Sequence, residues 1–159
     1  MNATRTSAKL TGGCQCGAVR YALLAPPDES SICHCRMCQK ASGQPFMALA
    51  RVKANELAWT RGAPAVFQSS NLAERGFCRD CGTPLTYRFF EGDDISVSVG
   101  SLDNPLTAPP TIQYGAESEL PWFATLADLP RMRTDEFLTS EQAARFANRQ
   151  HPDRGEKHD

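Results

Sequence analysis

Apolar and polar positions alternate along much of this chain with the two-residue period of half-buried strands. Between Gly17 and Leu24, Val19, Tyr21 and Leu23 alternate with Ala18, Arg20 and Ala22, and Pro26-Pro27 ends the run. The same reasoning predicts strands at Phe46 to Val52, Leu57 to Thr60, Ala65 to Ser69, Leu85 to Phe90 and Ile95 to Val99. In the last, Ile95, Val97 and Val99 share one face and Ser96 and Ser98 the other. Turns are expected at Gly62-Ala63-Pro64, Gly92-Asp93-Asp94 and Asp103-Asn104-Pro105, the second closing a hairpin. A short helix is predicted over Arg36 to Ala41, stopping at Gly43. A second should start near Thr134, with Phe137, Leu138 and Ala144 at helical spacing and Asp135 and Glu136 at its N-terminal end. Phe46 and Phe67 are expected in the core, and Trp59 and Trp122 as packing units of core or rim.

This is a mainly β chain with minor helices. At 159 residues it has the length of one domain and no internal repeat. The expected division is an N-terminal extension (1–9), the main domain (10–133), a C-terminal helix (134–148) and a polar tail (149–159). Lys and Arg total 17 against 18 for Asp and Glu, a net charge of -1, which argues against a broad nucleic-acid surface. No apolar run approaches the roughly 20 residues needed to span a bilayer. No apolar signal core follows the first residues, so a reducing, cytoplasmic setting is expected.

Seven cysteines change the picture. All fall into three short groups: Cys14-x-Cys16, Cys33-x-Cys35-x-x-Cys38 and Cys78-x-x-Cys81. An odd number excludes full disulfide pairing, and such spacings let neighbouring thiolates reach one ion. Glycines flank the arms (Gly12, Gly13, Gly17, Gly82), where backbone N–H groups can fold toward sulfur. One partition gives a closed site of Cys14, Cys16, Cys78 and Cys81 and leaves Cys33, Cys35 and Cys38 with an open fourth position. A rival partition joins Cys33 and Cys35 to Cys78 and Cys81, and spacing alone does not choose. An iron–sulfur cluster matches neither ferredoxin run, and a thiol–disulfide protein at Cys78-x-x-Cys81 lacks a βαβ context. His34 lies between two candidate ligands. In an extended segment its side chain is expected to face the opposite side. His151 and His158, in the tail, are expected to be solvated.

Zinc with three thiolates carries roughly one net negative charge, which weakens its acidity relative to a three-histidine site. Such a site is poorly suited to making hydroxide and compatible with a fourth, soft thiol ligand. The chemistry that suits it is thiol handling, such as adding a thiol to a carbonyl or reversing that addition.

Gly12-Gly13-Cys14-Gln15-Cys16-Gly17-Ala18-Val19-Arg20-Tyr21, Cys33-His34-Cys35-Arg36-Met37-Cys38 with Ala41-Ser42-Gly43, and Phe77-Cys78-Arg79-Asp80-Cys81-Gly82-Thr83 resemble the glutathione-dependent formaldehyde-activating enzyme family, which also contains centromere protein V. Gly100-Ser101-Leu102-Asp103-Asn104-Pro105, Pro121-Trp122 and Leu129-Pro130 add to the likeness, which runs from about Leu10 to Met132. The resemblance implies a β-tent fold of packed antiparallel sheets. It also implies a structural zinc on Cys14, Cys16, Cys78 and Cys81 and a catalytic zinc on Cys33, Cys35 and Cys38. The implied activity is that of a carbon–sulfur lyase joining glutathione to formaldehyde, or a similar thiol to a small aldehyde. Where relatives often carry a histidine before an isoleucine–tryptophan pair, this chain reads Ile112-Gln113-Tyr114, so no substrate contact is carried over there.

Glutathione is anionic, so a basic side chain near the open site would help to bind it. Arg36 and Lys40 lead the candidates, followed by Arg51, Arg61 and Arg75. Ser42, Ser69 and Ser70 could donate to a carbonyl, although turn and cap roles suit them better. An exposed β edge would allow a homodimer. The alternative to an enzyme is a non-catalytic zinc-binding interaction module.

Overall fold

Ten strands form two sheets in the computed structural model, which describes residues 10–152. The N-terminal extension (1–9) and the end of the polar tail (153–159, with His158) lie outside the described residues. The small sheet has the order β1 (Leu10–Gly13), β2 (Arg20–Leu23), β5 (Leu57–Arg61). The large one runs β10 (Ile112–Tyr114), β3 (Glu29–Cys33), β4 (Met47–Lys53), β9 (Asp94–Ser98), β8 (Pro84–Phe89), β7 (Ala73–Phe77), β6 (Ala65–Ser70). Pairing is antiparallel throughout, except that β10 lies parallel to β3. Among the described residues, no helix is long and apolar enough to cross a membrane.

The two-residue period decides what each face of the large sheet does. On β4, Ala50 and Val52 are fully buried, and on β9 Val97 is too; they pack with Tyr21 and Leu23 of the small sheet into the main core. The intervening residues Leu49, Arg51, Asp94 and Ser96 face the other way and line a cleft. Register carries that cleft across the sheet: Cys33 pairs with Met47, Ser31 with Leu49, and Tyr87 with both Ser96 and Arg75.

Helix α1 (Arg36–Ser42) forms where predicted and closes on left-handed Gly43. The helix expected from Thr134 is instead two short ones, α2 (Thr134–Phe137) and α3 (Ser140–Arg145), because Leu138 is extended and Thr139 starts a new capping box. Phe67 is 64% exposed rather than core, since β6 is an edge strand, whereas Phe46 is half-buried against His34 and Phe123. Trp59 sits at the rim, edge-on to Tyr21 at 5.9 Å, and Trp122 is 49% exposed.

A buried ion pair links the sheets to the loop after β9. Arg20 Nη2 meets Asp103 Oδ2 at 2.5 Å, and Thr11 Oγ1 donates to the same oxygen. The Asp103 N–H donates to the Thr11 carbonyl, so this loop is stitched to β1 by backbone as well. Removing one partner of such a pair leaves a dry, uncompensated charge. Asp103→Ala should therefore cost about 3–5 kcal/mol of stability, read as a lower urea midpoint with an unchanged slope.

Candidate metal centres

Two matching turns build the first centre. In each, the chain reverses after a cysteine and closes on a left-handed glycine: Gly17 (φ 77°) donates to the Cys14 carbonyl at 3.0 Å, and Gly82 (φ 76°) to that of Cys78 at 2.9 Å. A residue with a Cβ would be strained at either position. The Cys14 N–H reaches the Val19 carbonyl and the Cys78 N–H that of Thr83, both at 2.9 Å, fixing each turn as a hairpin. The four sulfurs of Cys14, Cys16, Cys78 and Cys81 then lie within 4.8 Å of one another. Cys14 and Cys16 are 3.5 Å apart and Cys16 and Cys78 3.8 Å. A tetrahedron with metal–sulfur bonds of about 2.3 Å requires sulfurs about 3.8 Å apart, so the set fits a tetrahedral, thiophilic ion. The Val19 N–H donates to Cys14 Sγ at 3.2 Å, steadying thiolate charge there.

The second group, Cys33, Cys35 and Cys38, also lies within 4.8 Å. Cys33 ends β3, Cys35 caps α1 by accepting the Cys38 N–H, and Cys38 is buried in the first turn of that helix. This trio sits in the wall of a cleft of about 740 Å³, which Leu49, Arg51, Arg75, Tyr87 and Tyr114 also line. Among the described residues, no fourth His, Cys, Asp or Glu completes the set. The Cys38 thiol is lowered to about 5, first by the hydrogen bond with Cys33 and then by Arg75, against the pull of burial. Cys33 is correspondingly pushed up by its bond to Cys38.

His34 points away from the trio, as expected for the middle residue of an extended run. It is fully buried, with Nε2 2.7 Å from Gln113 Oε1 and its ring edge-on to Phe123 at 4.7 Å. Arg36 and Lys40 are exposed, and neither lines the cleft; Arg36 bonds instead to Gln39. Arg61 donates to the Gly17 carbonyl and so belongs to the four-cysteine end. The cations in the cleft are Arg51, bridged to Glu29 at 3.7 Å and Asp94 at 3.9 Å, and Arg75. Ser42 bonds to the carbonyls of Cys38 and Phe46, and Ser70 accepts from Leu72, so both serve local turns.

His151 departs from expectation: it is half-buried, its N–H donates to the Gln15 carbonyl, and its ring lies against Gly17. Sequence reasoning did not single out Tyr87, Tyr114, Glu29 or Asp94 as cleft residues. For Asp94, the alternation that fixes the core face also fixes its opposite. Tyr87 shares the parity of the core residue Leu85 and turns to the cleft because the β7–β8 register shifts beside Gly76, which sequence alternation does not signal.

A family model described as glutathione-dependent formaldehyde-activating enzyme matches residues 9–117. A Schizosaccharomyces pombe protein named as an uncharacterized lyase is 31% identical over 81 residues, which are 51% of this chain and 58% of that protein. The chain thus spans little more than half the length of this curated relative. A crystal structure of a Rhodobacter sphaeroides protein shares the fold, with TM-score 0.53 and 24% identity, over 65% of this chain and 98% of the other.

The two sets differ in the number of sulfurs they bring together, four against three. Cys81→Ser should lose the metal of the closed set and lower the melting temperature by about 10 °C or more, as a structural metal contributes directly to folding. Cys38→Ser should lose the other metal while staying folded. Metal analysis and calorimetry of both variants check this.

Proposed function

The chain belongs to the glutathione-dependent formaldehyde-activating enzyme family, and we propose that it is a zinc-dependent carbon–sulfur lyase, joining a small thiol of the glutathione type to a small aldehyde such as formaldehyde, or reversing that step. The observation that carries this reading is the three-sulfur set opening onto a cleft of about 740 Å³. Cys14, Cys16, Cys78 and Cys81 would hold a structural zinc, and Cys33, Cys35 and Cys38 a catalytic one. Bound to three thiolates, zinc supplies a soft, weakly acidic centre that favours a thiolate as its remaining ligand near neutral pH.

The residues of the chain do the rest. The apolar side of the cleft is walled by Leu49, with Met37 and Phe89 at its exposed rim. Arg51, at the rim, is the cation placed to meet a carboxylate of the thiol, exchanging its carboxylate partners Glu29 and Asp94. Tyr87 keeps its phenol proton, since burial raises it above the ordinary tyrosine range. It is the donor proposed for the aldehyde oxygen. Addition forms one sulfur–carbon bond, opens the carbonyl π bond and delivers one proton to that oxygen; the reverse step returns each. Seven free cysteines suit a reducing, cytoplasmic setting for this work.

Cobalt(II) substitution tests the reading before any rate is measured, because thiols also add to formaldehyde spontaneously. Glutathione should shift the visible spectrum of the cobalt protein to saturation, and Cys38→Ser should abolish the shift while leaving the four-cysteine signal. A doubly loaded protein whose spectrum ignores glutathione would instead indicate a non-catalytic zinc-binding interaction module.

A further inference from the structure

Arg75 occupies an unusual environment for a guanidinium. It is 7% exposed, and among the described residues no carboxylate forms an ion pair with it. Its Nη2 donates to Cys38 Sγ at 3.4 Å and its Nη1 faces Met47 Sδ at 3.6 Å. The carbon of its guanidinium lies 4.9 Å from the centre of the Tyr87 ring, and its Nε is buried with no hydrogen-bond partner. A cation stripped of water is costly unless an opposite charge lies close by. Among the described residues, the group placed to supply that charge is the Cys38 sulfur of the trio.

The four-cysteine centre provides the contrast. Its Cys14 and Cys78 are buried, Cys16 is exposed and Cys81 half-exposed; the Val19 N–H donates to Cys14 Sγ, and among the described residues no cationic side chain donates to its sulfurs. The trio, with Cys38 buried and Cys33 and Cys35 half-buried, has Arg75 instead. With a divalent ion on three thiolates the net charge is roughly one negative, which one arginine cancels. A fourth, anionic ligand can then enter without leaving two uncompensated charges in the cleft wall.

We propose that Arg75 is the positioning residue that sets the charge of the Cys33–Cys35–Cys38 centre, so that this centre holds its metal tightly and selects an anionic fourth ligand over a neutral one. The proposal rests on the reading of the trio as an open metal site, and it names a residue that the reading does not require.

The test uses the full chain loaded with cobalt(II), with Arg75→Met and Arg75→Lys beside the parent. Arg75→Met keeps a similar length, and the Cys38 thiol can take up a proton once its cation is gone, so the metal-free protein should remain folded. In competition with a chromophoric chelator, its trio should release metal about 10- to 100-fold more readily, the usual loss for a group supporting a metal ligand. The four-cysteine centre should be unchanged, and Arg75→Lys should recover part of the affinity. Titrated into the cobalt protein, 2-mercaptoethanol should bind about 10-fold or more weakly to Arg75→Met, while neutral imidazole should bind as it does to the parent.

Unchanged metal affinity in Arg75→Met would overturn the proposal, and so would an equal loss for thiolate and imidazole, which would mark a role in shape alone. If the parent binds neither ligand, the open-site reading fails by itself. Chelator competition still decides whether Arg75 acts as the counter-charge.

Discussion

The convergence of four sulfurs from two distant segments is the constraint on which the rest of the structure depends. Cys14 and Cys16 belong to the hairpin between β1 and β2, Cys78 and Cys81 to the turn between β7 and β8, so an ion held by all four ties the small sheet to the large one. The small sheet has only three short strands. Its Tyr21 and Leu23 are buried because β4 and β9 lie beneath them. The Arg20–Asp103 pair and the Tyr21 hydroxyl on Ser101 repeat the same linkage in polar form. Apolar burial, a dry ion pair and the sulfur tetrahedron therefore all act across one interface.

The second cysteine centre is a consequence of the sheet that the first one secures. Once Ala50, Val52 and Val97 are committed to the core, strand geometry turns Leu49, Arg51 and Ser96 to the opposite side. That side has no second sheet to cover it, and the segment after β3 brings the trio to its wall. Strand β7 connects the two centres mechanically. It carries Arg75 in the cleft, and Cys78 follows directly after its last residue, only three positions on from Arg75.

How legible these features are in the sequence follows from the same division of faces. Strands β2, β4, β5, β6, β8 and β9 announce themselves by apolar alternation. Strands β1, β3, β7 and β10 do not, for physical reasons: β1 and β10 have four and three residues, too few to show a period. On β3 one face is Glu29, Ser31 and Cys33, which line the cleft, and the other includes the small Ser30. On β7 a buried arginine and Gly76 replace the apolar residues a reader looks for. The cysteine groups were readable because chelation demands short spacing, whereas their partition needed the fold. Arg75 was harder to rank than Arg36 because proximity in sequence favoured the arginine within the three-cysteine arm. In space, Arg36 bonds to Gln39 outside the cleft, while Arg75 reaches Cys38 from a strand paired far along the chain.

The trio is held from both sides, by opposite kinds of chemistry. On its dry side, His34 anchors the segment: its backbone N–H donates to the Tyr114 carbonyl, its ring packs on Phe123, and Gln39 bonds both to its carbonyl and to that of Ser118. These contacts need His34 to face away from the sulfurs, and that is what leaves Cys33 and Cys35 facing together toward the cleft. On the cleft side, Arg75 meets Cys38 with charge and hydrogen bonds rather than packing. A packed anchor behind and a cation in front hold three cysteine sulfurs close together with no fourth ligand among the described residues. That only three side chains gather here is therefore a product of the packing, since adding His34 to them would require it to abandon the core that orients the other two cysteines.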